Sequence, residues 1–294
     1  MKILPKIDIH VHSIPSVFVL RPDGSTFATP RQLRTMYDRL GIEKALLLPT
    51  INDGDNDMRE VYEMVRDNPD VFGWWFANVP THTSENYPEN DLSCELKQLV
   101  GFGARGVGEI CENLPFDDPY MLNLLRQTEK LGLPLTFHIG NNGHDYGIVD
   151  TLGLPGLEKA LKSFPKLRFL GHSQKFWAEI SGDATEENRR GYPTGKVVPG
   201  GRVPELMRRY PNLNCDLSAG SGYNAVSRDP DFGYAFLEEF QDRCFFGTDI
   251  CDPRNIDDVR VRLASFLDDG MKNGKLSYNA YEKISRGNAE DLLD

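Results

Sequence analysis

The amino-acid sequence predicts a (β/α)8 barrel, the TIM-barrel fold, built from parallel strands. Short apolar runs alternate with longer amphipathic segments along the chain, which indicates parallel strands joined by crossover helices. Eight such units fit within 294 residues, since barrels of this kind take about 250 residues. A doubly wound open sheet is the alternative, but the segment after the first strand, HVHSIPS, is not a glycine-rich phosphate loop.

The individual elements follow from hydrophobic periodicity. Strands are predicted at residues 6–12, 45–49, 72–77, 105–110, 134–138, 167–172, 213–217 and 244–249. Helices are predicted at residues 30–40, 57–66, 92–101, 119–131, 204–210 and 232–240. Since no linker or internal repeat interrupts this alternation, we expect residues 1–294 to form a single domain.

Two connections are longer than the others. Residues 173–201 follow the sixth predicted strand, and residues 218–231 follow the seventh. Long loops after barrel strands commonly act as lids or substrate walls. We therefore expect both segments to border a substrate site.

The composition restricts the partners of the protein. The net charge of -11 argues against nucleic acid, because an acidic surface repels phosphate. The apolar runs are too short to cross a membrane, and the start, MKILPKIDIHVH, lacks the apolar segment of a secretory signal. Five cysteines without a CxxC pair suggest reduced thiols. We expect a cytoplasmic protein with a small-molecule substrate; the sequence leaves formation of a homo-oligomer open.

The strongest chemical signal is the segment Asp8-Ile9-His10-Val11-His12. Alternate side chains of a strand point to the same face, so Asp8, His10 and His12 would share the face toward the barrel axis. Two imidazoles spaced in this way at a strand end can chelate one metal ion. Asp8, deeper along the strand, is predicted to be a structural partner rather than a ligand.

Other candidates follow apolar runs in the same way. His138 ends PLTFHIG, His172 ends LRFLGHS, Asp249 ends FFGTD and Glu109 follows ARGVG. Barrel enzymes carry their active-site residues at the carboxyl ends of the strands. Four of the six histidines occupy such positions, which predicts a shared metal-dependent active site.

In this order the motifs resemble the amidohydrolase superfamily. The HxH after the first strand, the single histidines after the fifth and sixth, and the GTD aspartate after the eighth carry the resemblance. The segments YPNLNCDLS, FGTD and ISRGNAEDLL are similar to the subgroup that includes aminocarboxymuconate-semialdehyde decarboxylase. The resemblance extends from Asp8 to Leu293.

The resemblance implies a role for each of these residues. His10, His12 and His138 would bind a divalent metal, and Asp249 would complete the site and move the proton of the attacking water. Zinc suits these ligands, although manganese and iron also fit. His172 would be a further ligand or a base that polarises the substrate.

Glu109 leaves two roles open. A carboxylate at this position bridges two metals in some members, and its GEI context resembles TatD-like nucleases. In others this position is not a ligand, and Glu109 would then orient a ligand histidine. We favour a site with one metal.

Two activities share these motifs, a hydrolase, which is our leading hypothesis, and a non-oxidative decarboxylase as the alternative. The hydrolase would use metal-activated water on an amide, ester or lactone. The decarboxylase would act on an unsaturated or aromatic acid, and an arginine aimed at the metal would favour it. Trp177, Tyr223 and Arg21 are the predicted substrate-binding residues, and Arg21 could pair with a carboxylate.

Overall fold

The computed structural model describes residues 2–17, 20–49, 58–79, 88–140 and 146–294. The chain divides into two compact units. One unit comprises Met1–Phe76 and Asp216–Asp294, and the other comprises Ala77–Cys215. The expectation of a single domain stays a prediction.

Parallel strands and helices alternate along the described residues. The strands are β1 (Lys6–Val11), β2 (Ile42–Leu47), β3 (Phe72–Ala77), β4 (Ala104–Ile110), β5 (Leu135–Gly140), β6 (Ile148–Val149), β7 (Phe169–His172), β8 (Leu213–Asp216) and β9 (Cys244–Phe245). The helices are α1 (Pro30–Leu40), α2 (Met58–Asp67), α3 (Ser93–Gly101), α4 (Pro119–Lys130), α5 (Pro155–Ser163), α6 (Gln174–Ala178), α7 (Arg202–Arg209), α8 (Ala219–Ser227), α9 (Pro230–Glu239), α10 (Arg262–Lys272), α11 (Tyr278–Glu282) and α12 (Asn288–Leu293). Short 3-10 segments occur at Asn188–Arg190, Pro253–Asp257 and Val259–Val261, and a π-helical turn at Lys283–Gly287 joins α11 to α12.

In the first unit, β1 lies between β2 and the segment that follows β9. It pairs in parallel with β2, which pairs in parallel with β3. On its other side, the backbone N–H of Ile9 donates to the carbonyl of Phe246 at 3.1 Å, and Val11 bridges Ile250. All six residues of β1 are buried, as is usual for a strand of a parallel sheet. The sheet therefore fixes the backbone that carries His10.

Helix α1 begins and ends where its sequence dictates. Thr29 caps its first turn in a reciprocal capping box with Gln32, and Pro30 occupies the first turn, where its missing N–H costs nothing. Gly41 ends the helix with a φ of 69°, a conformation that glycine adopts without strain. The helix buries Tyr37, whose hydroxyl donates to Oδ2 of Asp8 at 2.8 Å.

In the second unit, β5 is the central strand. It pairs with β4, β6 and β7, and β7 pairs in turn with β8. Phe137 of β5 makes edge-on contacts with the rings of Phe116, Phe169 and Phe176 at centroid distances of 5.5–6.2 Å. A side chain at Gly171 would approach the ring of Phe176 to 2.4 Å, so glycine is required there. This aromatic core supports the strands that end at His138 and His172.

Most of the predicted elements match these bounds to within three residues, but two expectations need correction. The strand predicted at 244–249 spans only Cys244–Phe245, because the N–H of Phe246 donates to the carbonyl of Ile284 rather than to a neighbouring strand. The segments 173–201 and 218–231, predicted as loops, contain α6 and α8. Among the described residues, no helix combines the length and apolar character needed to cross a bilayer.

Candidate functional site

His10 and His12 present their imidazoles to each other at the end of β1. Their Nε2 atoms are 3.2 Å apart, and their rings meet edge-on. His10 is fully buried and His12 nearly so. The alternation of side chains along an extended chain explains why residues two positions apart meet in this way.

The Nδ1 atoms of the same two rings are hydrogen-bonded elsewhere. His12 Nδ1 lies 3.2 Å from the carbonyl oxygen of Leu48, and His10 Nδ1 lies 2.6 Å from Oδ2 of Asp216. A carbonyl or carboxylate oxygen only accepts, so both Nδ1 atoms donate, and in neutral rings both Nε2 atoms carry lone pairs. Two lone pairs this close repel unless a cation lies between them. The donor chemistry therefore fits a divalent metal.

Asp216 holds this arrangement from the end of β8. Its side chain is fully buried, and its Oδ1 accepts from Ser218 N at 2.9 Å. A Cβ at Gly247 would lie 3.0 Å from Asp216 Oδ1 and 2.8 Å from Ser218 Cβ. The glycine of the FGTD motif therefore allows the backbone to approach Asp216 and Ser218 closely. Sequence reasoning missed Asp216, although it ends an apolar strand in the same way as the predicted site residues.

Asp249 faces the two imidazoles from the segment after β9. Its Oδ1 is 3.8 Å from the Nε2 atoms of both His10 and His12. Its backbone N–H donates to His10 O at 2.8 Å, and its φ is 54°, a left-handed conformation that aspartate tolerates better than most residues. Arg260 donates from Nη1 to the carbonyl oxygen of Asp249 at 2.9 Å. The three side chains form one group of candidate metal ligands.

Asp8 is a structural partner, as its depth in the strand predicts. Its Oδ1 accepts from the backbone N–H groups of His10 and Thr248, and its Oδ2 accepts from the hydroxyls of Thr248 and Tyr37. Burial raises the pKa of Asp8 to about 6, although these hydrogen bonds oppose the shift. This network joins β1 to the FGTD segment and positions both His10 and Asp249.

Within the second unit, three predicted site residues lie together. Glu109, at the end of β4, accepts from His138 Nδ1 at 2.9 Å, and its Oε1 is 3.8 Å from His172 Nε2. All three side chains are buried, and the two imidazole rings are 5.4 Å apart. Because Nδ1 of His138 donates to the carboxylate, its Nε2 is the nitrogen available to a metal. Donor atoms of Glu109, Cys111 and His138 all lie within 4.8 Å of one another.

Two glycines allow the backbone to close on His138. A Cβ at Gly147 would lie 2.8 Å from His138 Cδ2, and a Cβ at Gly140 would lie 1.9 Å from the carbonyl oxygen of Tyr146. The N–H of Gly147 donates to Cys111 O at 2.8 Å. The ring of Tyr146 consequently covers His138 at a centroid distance of 4.5 Å while remaining half exposed.

The predicted substrate-binding residues have different surroundings. Trp177 is buried on α6 against Phe176, with ring centroids 5.2 Å apart. Tyr223 is partly buried on α8, 6.1 Å from the ring of Phe266. Arg21 is exposed, and its guanidinium lies 4.3 Å from the ring of Phe27, which is 6.2 Å from the ring of His12. Their role in substrate binding stays a prediction.

A family model described as amidohydrolase matches residues 7–294. The protein belongs to the amidohydrolase family. It is therefore an enzyme of the amidohydrolase superfamily, and this membership is consistent with the decarboxylase-like subgroup that the motifs resemble. No curated protein matches the sequence.

Solved structures of amidohydrolases share the fold. One described as amidohydrolase II has a TM-score of 0.58 at 16% identity, covering 98% of this chain and 99% of its own. A probable 2-pyrone-4,6-dicarboxylic acid hydrolase from Acinetobacter baumannii has a TM-score of 0.53 at 12% identity, with 96% and 99% covered. The D-hydantoinase of a Thermus species has a TM-score of 0.60 at 11% identity, with 99% and 70% covered. These likenesses confirm the (β/α)8 barrel as the fold class.

Proposed function

We propose that this amidohydrolase is a metal-dependent hydrolase that adds water to an amide, ester or lactone of a small molecule. The observation that carries the proposal is the pair of Nε2 atoms of His10 and His12, 3.2 Å apart, with each Nδ1 donating to an oxygen. Imidazole and carboxylate donors suit zinc, while manganese and iron remain alternatives.

The proposed ligands come from several strand ends. His10, His12 and Asp249 form one group, and Glu109 and His138 form another. Enzymes of the (β/α)8 class carry their active-site residues at the carboxyl ends of the strands, which supports the members of both groups as metal ligands. Glu109 would then either bind the metal or orient His138 through the 2.9 Å contact.

Asp249 and His172 are the proposed catalytic residues. A bound divalent ion would supply Lewis acidity, which lowers the pKa of water from 15.7 to roughly 7. Asp249 would accept a proton from the attacking water, because its carboxylate faces the two imidazoles and remains partly exposed. His172 would polarise the substrate carbonyl or return the proton to the leaving group.

The hydrolase names of the solved relatives support hydrolysis as the reaction class. One of them is named for a cyclic dicarboxylic acid and another for a hydantoin. Trp177, Tyr223 and Arg21 are proposed to line the substrate site. We further propose a cytoplasmic location, which rests on the odd number of cysteines and the absence of a CxxC pair from the sequence.

A decarboxylase is the second candidate, and Arg260 favours it. Its Nη1 lies 4.0 Å from Oδ2 of Asp249, so its guanidinium could hold a substrate carboxylate beside the metal ligands.

One experiment separates the two candidates. Zinc-loaded protein would be incubated with panels of small amides, esters, lactones and unsaturated acids, while carbon dioxide release and proton release are recorded. A hydrolase releases protons from esters or lactones, and releases ammonia or amines from amides, without carbon dioxide. Carbon dioxide release from an acid, with no hydrolysis in the other panels, would replace the hydrolase proposal with the decarboxylase.

A further inference from the structure

Cys111 lies beside two of the proposed metal ligands. It follows Glu109 by two positions at the end of β4, and its Sγ, a carboxylate oxygen of Glu109 and a ring nitrogen of His138 lie within 4.8 Å of one another. All three residues are buried. Sulfur and nitrogen ligands of one tetrahedral zinc ion lie about 3.6 Å apart, so donor atoms within 4.8 Å of one another need only a small side-chain shift to share an ion.

The backbone around Cys111 is fixed. Its carbonyl oxygen accepts from the N–H of Gly147 at 2.8 Å, and Gly147 can approach only because it lacks a side chain. The Nδ2 of Asn113 donates to Gly147 O at 3.4 Å. The segment that carries the thiol is thus hydrogen-bonded to Gly147 through both Cys111 and Asn113, and such support helps to hold a ligand in position.

Charge also favours a cation in this cluster. Glu109 brings a buried carboxylate to the cluster, which would be costly to desolvate without a counter-charge. A divalent ion would supply that charge, and a thiol that binds such an ion does so as the thiolate. Thiolate ligands select zinc over magnesium or manganese, whose preferred ligands are oxygen atoms.

We propose that Cys111 is a sulfur ligand of the metal bound by Glu109 and His138, and that it directs the site toward zinc. This inference rests on the proposed metal-dependent function. It adds a donor that the sequence motifs did not identify, and it specifies which class of metal the cluster takes.

Cobalt substitution tests the inference directly. The full-length protein would be freed of metal with a chelator, loaded with Co²⁺ and examined by absorption spectroscopy. A cobalt–thiolate bond produces a near-ultraviolet charge-transfer band, whereas nitrogen and oxygen ligands give only weak visible bands. We expect the charge-transfer band in the unmodified protein and its loss in Cys111→Ser, with the visible bands retained.

The remaining cysteines provide matched controls. Cys94→Ser, Cys215→Ser, Cys244→Ser and Cys251→Ser should each keep the band, which assigns it to Cys111 even if Cys111→Ser does not fold. Bound cobalt with visible bands but no charge-transfer band would overturn the thiolate ligand and leave the hydrolase proposal intact. Failure to bind cobalt at all would overturn both. Loss of the band in Cys251→Ser alone would assign the sulfur to Cys251, two positions after Asp249, and refute the inference.

Discussion

The Nδ1 atom of His10 lies 2.6 Å from Oδ2 of Asp216, and both side chains are fully buried. A carboxylate in this position fixes the tautomer and the orientation of a ligand histidine and raises its basicity. The contact therefore determines that His10 presents the lone pair of Nε2 toward His12.

Replacing Asp216 with Asn should weaken metal binding without preventing folding. Asparagine can still accept from Nδ1 but removes the negative charge, and loss of such a partner lowers metal affinity by about 10–100-fold. Competition against a chelator of known affinity would measure the change. Asp231→Asn is the control, since Asp231 is exposed and pairs with Lys275 at the surface. Equal affinity in both variants would exclude a supporting role for Asp216.

Asp249→Asn should abolish most of the turnover. The change preserves the shape of the side chain and removes its capacity to accept a proton, so we expect a loss of at least ~100-fold. Metal content should fall only in part, because His10 and His12 remain. Turnover, metal content and thermal melting would be measured together. If turnover stayed near that of the unmodified enzyme, Asp249 would not be the proton acceptor, and His172 or Glu109 would have to accept the proton.

Glu179 should make the free energy of unfolding fall as the pH rises. Burial raises its pKa from 4.5 to about 7, against the opposing charge of Arg189. The folded state thus binds the proton of Glu179 more tightly than the unfolded state does. Protonation therefore contributes to the free energy of unfolding below about pH 4.5, and this contribution is lost as the pH rises through about 7. Glu179→Gln should remove that component. Urea denaturation between pH 4.5 and 8 should show a smaller decline with pH for the variant; parallel curves would contradict the assignment.

Arg189 should be essential to the stability of the segment after β7. It is fully buried, its Nη2 is 2.8 Å from Oε1 of Glu179, and its Nη1 contacts the carbonyl of Asp150. Removing one partner of a buried ion pair costs about 3–5 kcal/mol. We expect Arg189→Met to lower the melting temperature more at pH 8 than at pH 5, where Glu179 can be neutral. Arg190→Met, a change at an exposed neighbour, should have little effect. Equal melting temperatures for the two variants would show that the pair contributes nothing.

Sequence patterns predicted the strand ends because buried parallel strands are short, apolar and continuous. Phe72–Ala77 and Pro30–Leu40 match their predicted bounds. Helix α8 was not predicted, since AGSGYNAVS combines glycine and serine, which have low helix propensity, with no apolar period. Its Gly222 is required, as a Cβ there would lie 2.3 Å from Leu217 O. Helix α8 therefore forms because of its tertiary packing, which cannot be read from the periodicity of the sequence.

The candidate site was predictable only in part. His10 and His12 could be selected because their spacing follows from strand geometry. The role of Asp216 could not be assigned, because an aspartate at a strand end also accepts from a local turn, as its Oδ1 does from Ser218 N, and its partner His10 is remote in sequence. The contact between Asp216 and His10 joins residues 206 positions apart, a distance over which a single sequence gives no signal.

The central claim is that His10 and His12 hold a divalent metal on which the activity depends. The most direct test is the metal content of purified protein by elemental analysis, compared with His10→Ala/His12→Ala and with the surface control Asp231→Asn. We predict close to one zinc ion per chain in the unmodified protein and in the control, and loss of metal and activity together in the double variant, which should remain folded. Full metal content in the folded double variant would contradict the claim.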